Sequence, residues 1–171
     1  MDIFREIKTL KAFLRKKKLA QIPIGFVPTM GALHAGHLSL LAASQKQGLF
    51  TVCSIFINPA QFNNASDLLN YPRTENRDVE LLEKIGCDVL FIPSAEEIYP
   101  QQSSLSFSFP GLDNVMEGTF RPGHFSGVAL VVSKLFHIVE PDHAFFGQKD
   151  WKQFTIIRQL VEDLNFNLTL H

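Results

Sequence analysis

Cysteine is scarce. Cys53 and Cys87 are the only two in 171 residues, and they stand at no motif spacing. That excludes a disulfide-stapled scaffold and every thiolate metal signature. Cys53 lies inside an apolar run, as a small buried thiol does. Excess charge is missing as well. The formal net charge is −1 and charged residues make up 19% of the chain, so no overall bias draws it to nucleic acid or a membrane surface. The one dense basic run, Arg15-Lys16-Lys17-Lys18, closes a helical pattern, where cations complement the helix dipole. No apolar stretch approaches the roughly 20 residues of a membrane-spanning helix. Met1-Asp2-Ile3-Phe4-Arg5 lacks the apolar region of a secretory signal. There is no internal repeat and no low-complexity segment. The expectation is a globular cytoplasmic domain, with 46% hydrophobic residues to fill a core.

The apolar residues alternate between two periods. Ile3, Ile7, Leu10 and Leu14 recur at helical spacing. Ile22–Val27, Phe50–Ile57 and Val89–Ile92 read as strands, the first two as continuous runs typical of strands covered on both faces. Helical patterns at Leu38–Gln47 and Thr74–Ile85 separate them, the second ending at Gly86. Strands and helices in this alternation predict an α/β fold with a parallel sheet. Ser103–Pro110 alternates polar and apolar residues and predicts a half-exposed strand, followed by a Gly/Pro-rich loop to Gly123. Val128–Val139 predicts a buried helix, Ala144–Phe146 a short strand, Trp151–Leu164 a helix, and Asn167–His171 the start of another strand.

The stretch richest in chemistry is Val27-Pro28-Thr29-Met30-Gly31-Ala32-Leu33-His34-Ala35-Gly36-His37-Leu38. A strand ends at Pro28, a Gly-bearing turn follows, and a helical pattern begins near His37. Such a junction is an anion site, because free N–H groups and the positive end of the dipole point outward. Gly36 lets a nucleotide approach the backbone, and His34 and His37, three apart, offer imidazole donors to phosphate. The alternative is a structural pair, one ring capping the helix. A metal pair lacks a third ligand beside it.

Asn58 and Gln61, in Asn58-Pro59-Ala60-Gln61-Phe62, follow a strand where the crevice of a parallel sheet lies, and their amides suit hydroxyls and carboxylates. An Asn-Pro turn with a solvated Gln is the plainer alternative. Phe146-Gly147-Gln148-Lys149-Asp150 closes another strand. Lys149 could meet phosphates as a point charge, and Gln153 borders an apolar stripe one turn into the next helix. Arg121-Pro122-Gly123-His124-Phe125 is either a phosphate clamp or a structural turn. Tyr71-Pro72-Arg73-Thr74 precedes a helix with Thr74 at its N-cap. Asp78 either serves the dipole there or approaches a magnesium held mostly by phosphates and water.

His-x-Gly-His is the pattern of class I synthetases and nucleotidyl transferases. Taken with Ser54–Phe62, Tyr71–Thr74, Arg121–Phe125 and Phe146–Asp150 in that order, the chain resembles the pantothenate synthetase (pantoate–β-alanine ligase) family over nearly its whole length. The resemblance implies a Rossmann-like parallel sheet with helices on both faces. It also implies two half-reactions: pantoate and ATP form pantoyl adenylate, and β-alanine then displaces AMP to give pantothenate. By motif, Met30, Gly31, Ala32, Leu33, His34, Ala35, Gly36, His37, Gly147, Gln148, Lys149 and Asp150 would bind ATP, with His37, His34 and Lys149 catalytic. Pro28, Asn58, Gln61 and Gln153 would hold pantoate, and Gln61 would also meet β-alanine. ATP and Mg²⁺ are the implied ligands, Asp78 the candidate magnesium contact, and a homodimer the implied assembly, with no nucleic-acid or membrane partner. A nucleotidylyltransferase of the same superfamily, or a non-catalytic binding or dimerisation fragment, is the alternative. The family's smaller C-terminal lid domain has no counterpart in this sequence. Residues 1–171 are thus expected to be the N-terminal nucleotide- and pantoate-binding domain, with weak or absent turnover alone.

Overall fold

The computed structural model describes residues 1–110, 123–147 and 151–171. Strands β1 (Asp2–Phe4), β2 (Ile24–Thr29), β3 (Phe50–Ile55), β4 (Val89–Phe91), β5 (His143–Ala144) and β6 (Thr169–Leu170) form one sheet in the order β1-β4-β3-β2-β5-β6. Every pairing is parallel. The main helices are α1 (Ile7–Leu19), α2 (Ala35–Lys46), α3 (Ala65–Asn70), α4 (Glu75–Ile85), α5 (Ala95–Ile98), α6 (His124–Val139) and α7 (Trp151–Asp163).

Successive strand residues feed opposite faces, as the pleat demands. Phe26, Val52, Val89 and Phe91 join Leu10 and Leu14 of α1, the apolar side of α6, and Ile156, Ile157 and Leu160 of α7. Val27, Cys53 and Leu90 join Leu41 of α2 and Leu82 of α4. Helices therefore cover both faces, which explains why β2 and β3 are continuous apolar runs. The chain steps outward from β2 to β3 to β4, then returns to lay β5 on the other side of β2. Ligands of open parallel sheets bind at such a reversal, beyond the carboxyl ends of the strands.

Several expectations are corrected. Ile3 belongs to strand β1 and not to a helix, because Asp2–Phe4 pairs with Val89–Phe91 at the sheet edge. Strand β2 does not end at Pro28 but runs to Thr29. Thr29 turns its carbonyl to β3, accepting from Phe56 N–H, whereas Phe26 turns its carbonyl to the β5 side, accepting from Phe145 N–H. Pro28 shares the parity of Phe26, so its missing donor faces the crevice and costs the β2–β3 ladder nothing. Ser103–Pro110 forms no strand; Phe107 N–H is instead taken by the Ser126 hydroxyl on α6, 3.0 Å away. The 3₁₀ turn Pro59–Gln61 and helices α3 and α5 had no sequence expectation, being too short for a periodic signal.

Candidate nucleotide and acid site

Beyond β2 the chain makes a tight left-handed turn at Gly31 (φ 83°) and Ala32 (φ 50°). A Cβ on Gly31 would come within 3.2 Å of Asp78 Oδ2. Asp78, on the first turn of α4, is 1% exposed. Its Oδ2 accepts from Ala32 N–H (2.9 Å) and its Oδ1 from Leu33 N–H (2.8 Å), while the Thr74 hydroxyl donates to Oδ2 (3.1 Å). Thr29 completes the turn, donating to Ser54 O and accepting from Gly31 N–H. A buried carboxylate with these donors can hold a strained Ala32 in the left-handed region. Asp78 is thus the anchor of the turn. Thr74 sits at the N-cap position of α4, but its hydroxyl serves Asp78 and makes no cap bond.

The helix after the turn starts at Ala35, earlier than its apolar pattern suggests, because His34 is its N-cap. His34 Nδ1 accepts from Gly36 N–H (3.1 Å), and His37 Nδ1 accepts from His34 N–H (3.4 Å). The two histidines form a reciprocal capping box, with rings stacked 4.0 Å between centroids. Gly36 serves this arrangement: a Cβ there would lie 2.9 Å from His34 Cε1, so any other residue would push the ring off the helix start. Nδ1 of each neutral ring is an acceptor, which places the proton on Nε2. Burial and the neighbouring His34 lower the pKa of His37, against an opposing pull from Asp78. With Nδ1 accepting, each ring turns its Nε2–H outward at a helix N-terminus, the chemistry of a polyanion site. The capping and phosphate-binding alternatives raised by the sequence coexist in one geometry, Nδ1 serving the first and Nε2 free for the second.

Beside His37 lies a cavity of about 170 Å³, lined among others by Pro28, Met30, Asn58, Gln61, Tyr71 and Gln153. Its floor is apolar, from Val128, Val131, Val132 and Leu135 of α6 with Phe56 and Phe146. All four residues expected to hold the acid, from three separate segments, meet here with His37. A second hollow of about 280 Å³, bounded by Gly31, Arg73, Thr74 and Asp78, shares Met30 and Phe56 with the first. Larger hollows along α1 and α6, of about 410 and 620 Å³, touch none of the motif residues.

Asn58 lines this cavity with its amide already engaged by the protein. It is 1% exposed, and its polar atoms are bonded to Gln61, Gly127, Ala60 and Tyr99. Gly147 is exposed after β5, with open space where a Cβ would be. Gln148, Lys149 and Asp150 lie outside the described residues, as do Arg121 and Pro122. The described part of that last motif is structural: Gly123 caps α6, and His124 Nδ1 lies 2.9 Å from the Gln61 carbonyl.

Sequence reasoning missed Tyr99 and Gly127. On Gly127 a Cβ would stand 2.3 Å from Ala60 O, so α6 packs directly on the backbone of the 3₁₀ turn that carries Gln61. A glycine inside an apolar helical run was the available signal.

Comparison with known proteins identifies the family. The profile of the family described as Pantoate-beta-alanine ligase matches residues 2–171. Pantothenate synthetase of Cytophaga hutchinsonii is 49% identical over 164 residues, covering 96% of this chain and 58% of its own. Pantothenate synthetase of Bacteroides fragilis is 49% identical over 170 residues, covering 99% and 60%. The crystal structure of pantoate-beta-alanine ligase from Francisella tularensis, complexed with beta-gamma ATP and beta-alanine, superposes with a TM-score of 0.95 at 41% identity, over 100% of this chain and 66% of that one. This chain thus spans about three fifths of the length of the curated relatives it matches. The nucleotidylyltransferase alternative left open by the His-x-Gly-His junction falls away. On the match of residues 2–171, this chain belongs to the pantoate–β-alanine ligase family.

Proposed function

We propose that residues 1–171 form the nucleotide- and pantoate-binding domain for the ATP-dependent condensation of pantoate with β-alanine. A pantoate carboxylate oxygen attacks the α-phosphorus of ATP, the bond to the bridging oxygen breaks, and pyrophosphate leaves. The β-alanine amine then attacks the acyl carbon of pantoyl adenylate, loses a proton, and expels AMP. The names of the relatives support the overall reaction, and the Francisella complex supports ATP and β-alanine as ligands.

The observation that carries this reading is the convergence of His37, Gln61 and Gln153 on one small, apolar-floored cavity. Both steps are displacements on charged groups, which need alignment and fixed donors more than covalent help. His34 and His37, held by their Nδ1 atoms, offer Nε2–H toward phosphate. Gln61 and Gln153 orient the acid, and the apolar floor excludes water from an adenylate that water would hydrolyse. Lys149 would add a point charge on the phosphates.

Among the described residues no group of three or more His, Cys, Asp or Glu could hold a metal, and Asp78 spends both oxygens on the turn. This donor set fits a magnesium ion brought by ATP and kept by phosphates and water better than a protein cage. A homodimer in the cytoplasm belongs to the same reading and rests on the family resemblance. Calorimetric titration of pantoate into the chain, with Mg²⁺ and a non-hydrolysable ATP analogue, tests the site. Saturable, stereospecific binding is expected; absence of binding overturns the acid assignment. Pantoate binding with no pyrophosphate release from ATP would mark the chain as a binding fragment.

A further inference from the structure

A primary amide offers a ligand either a donor or an acceptor, and a flip of the side chain exchanges them. At Gln61 the choice is made by residues behind it. The amide of Asn58 is bracketed by backbone groups whose roles cannot reverse: Ala60 N–H donates to Oδ1 (3.3 Å), and Nδ2 donates to the Gly127 carbonyl (3.1 Å). The Tyr99 hydroxyl fills the second acceptor position of Oδ1 at 2.9 Å. The remaining Nδ2 hydrogen goes to Gln61 Oε1 at 3.1 Å, which turns Gln61 Nε2 toward Met30 Sδ, 3.0 Å away. Thioether sulfur is a weak acceptor, so that donor is held in place without being consumed.

We propose that Tyr99, acting through Asn58, is a positioning residue that fixes Gln61 with its NH₂ end toward the acid cavity. The position then selects a ligand oxygen that accepts a hydrogen bond, carboxylate or hydroxyl, over a group that can only donate. This rests on the acid site proposed above. Tyr99 follows α5 and is not one of the residues lining that cavity. Its ring is held between Phe56 (centroids 6.2 Å apart) and the ammonium of Lys134 (5.1 Å). Burial pushes its hydroxyl up to about 12, which keeps it a donor.

Tyr99→Phe keeps the ring and removes the hydroxyl. In side-chain amide ¹⁵N spectra of the ligand-free protein, the Gln61 NH₂ resonances should move and their contact with the Met30 methyl should weaken; unchanged resonances overturn the relay. In pantoate titrations with the ATP analogue, Tyr99→Phe should weaken pantoate roughly three- to tenfold, the value of one neutral hydrogen bond, and leave the nucleotide unaffected. Added to Gln61→Ala, it should cost nothing further. The same loss in the Gln61→Ala background, or equal losses for both ligands, overturns the proposal. If the unsubstituted chain binds no pantoate, the acid-site reading fails, and the ligand-free spectra still decide the relay.

Discussion

His34 and His37 cap one another: the backbone N–H of His34 meets Nδ1 of His37, and the His34 ring folds back over Gly36 to cap the same turn. Neither ring can take a proton on Nδ1 without losing its backbone bond. His37→Ala should therefore cost about 1 kcal/mol of stability, the value of a lost cap. It should cut adenylate formation by roughly 10²- to 10³-fold, the value of a fixed donor at developing charge. Thermal melting and pyrophosphate release read the two separately. Unchanged pyrophosphate release would leave His37 a cap and nothing more.

The lowered pKa of His37 has a defined sign. The folded protein binds fewer protons than the unfolded chain below the ordinary value of 6.5, so stability falls as pH drops through that value toward the lower folded one. His171, lowered by burial and by His143, acts in the same direction. The slope of melting temperature between pH 7 and 5 should be shallower in His37→Asn than in the unsubstituted chain. Identical slopes would show that His37 is not part of the pH response.

Asp78→Asn puts an amide NH₂ where Ala32 and Leu33 both donate. Losing one of the two backbone bonds of Asp78, and the charge that strengthens the other and the Thr74 bond, should cost about 2–3 kcal/mol, a drop in melting temperature of roughly 4–12 °C. Nucleotide-analogue binding should fall with it, since the turn sets the start of α2. A drop confined to magnesium dependence, with the melting point unchanged, would restore Asp78 as a metal contact.

Gly127→Ala forces a methyl group against the Ala60 carbonyl. Overpacking of this kind costs about 1–3 kcal/mol. Because Gln61 rides on the displaced turn, pantoate affinity should weaken more than nucleotide affinity. Parallel losses for both ligands would mean general damage to α6.

The two thiols should be silent. Burial raises Cys53 well above its ordinary value and pushes Cys87 up to about 12. A thiol reagent at pH 8 should label neither in the native protein and both after unfolding. Rapid native labelling would show that the sheet opens around β3.

The parallel sheet and the main helices were legible because each rests on periodicity, whereas the roles of Gln61, Gln153 and His37 came only from the family resemblance, since their spacing alone left solvated or structural alternatives open. Pro28 misled, since a proline ends a strand only where its missing donor faces a neighbour. Asn58 and Asp78 show a different limit. Sequence gives the polarity of a side chain but not which backbone N–H groups the fold brings to it, and both residues are spent on backbone 2 to 69 positions distant. Tyr99 carried no local signal, because its partner lies 41 positions away.

Met30 is a wall of both the 170 Å³ cavity and the 280 Å³ hollow beside it. Its unbranched thioether can change rotamer at little cost. A molecule that moves it from one side reshapes the other, so the two volumes are not independent compartments. Whatever free energy the first occupant lends the second is returned in full when the order is reversed, because coupling between sites is reciprocal.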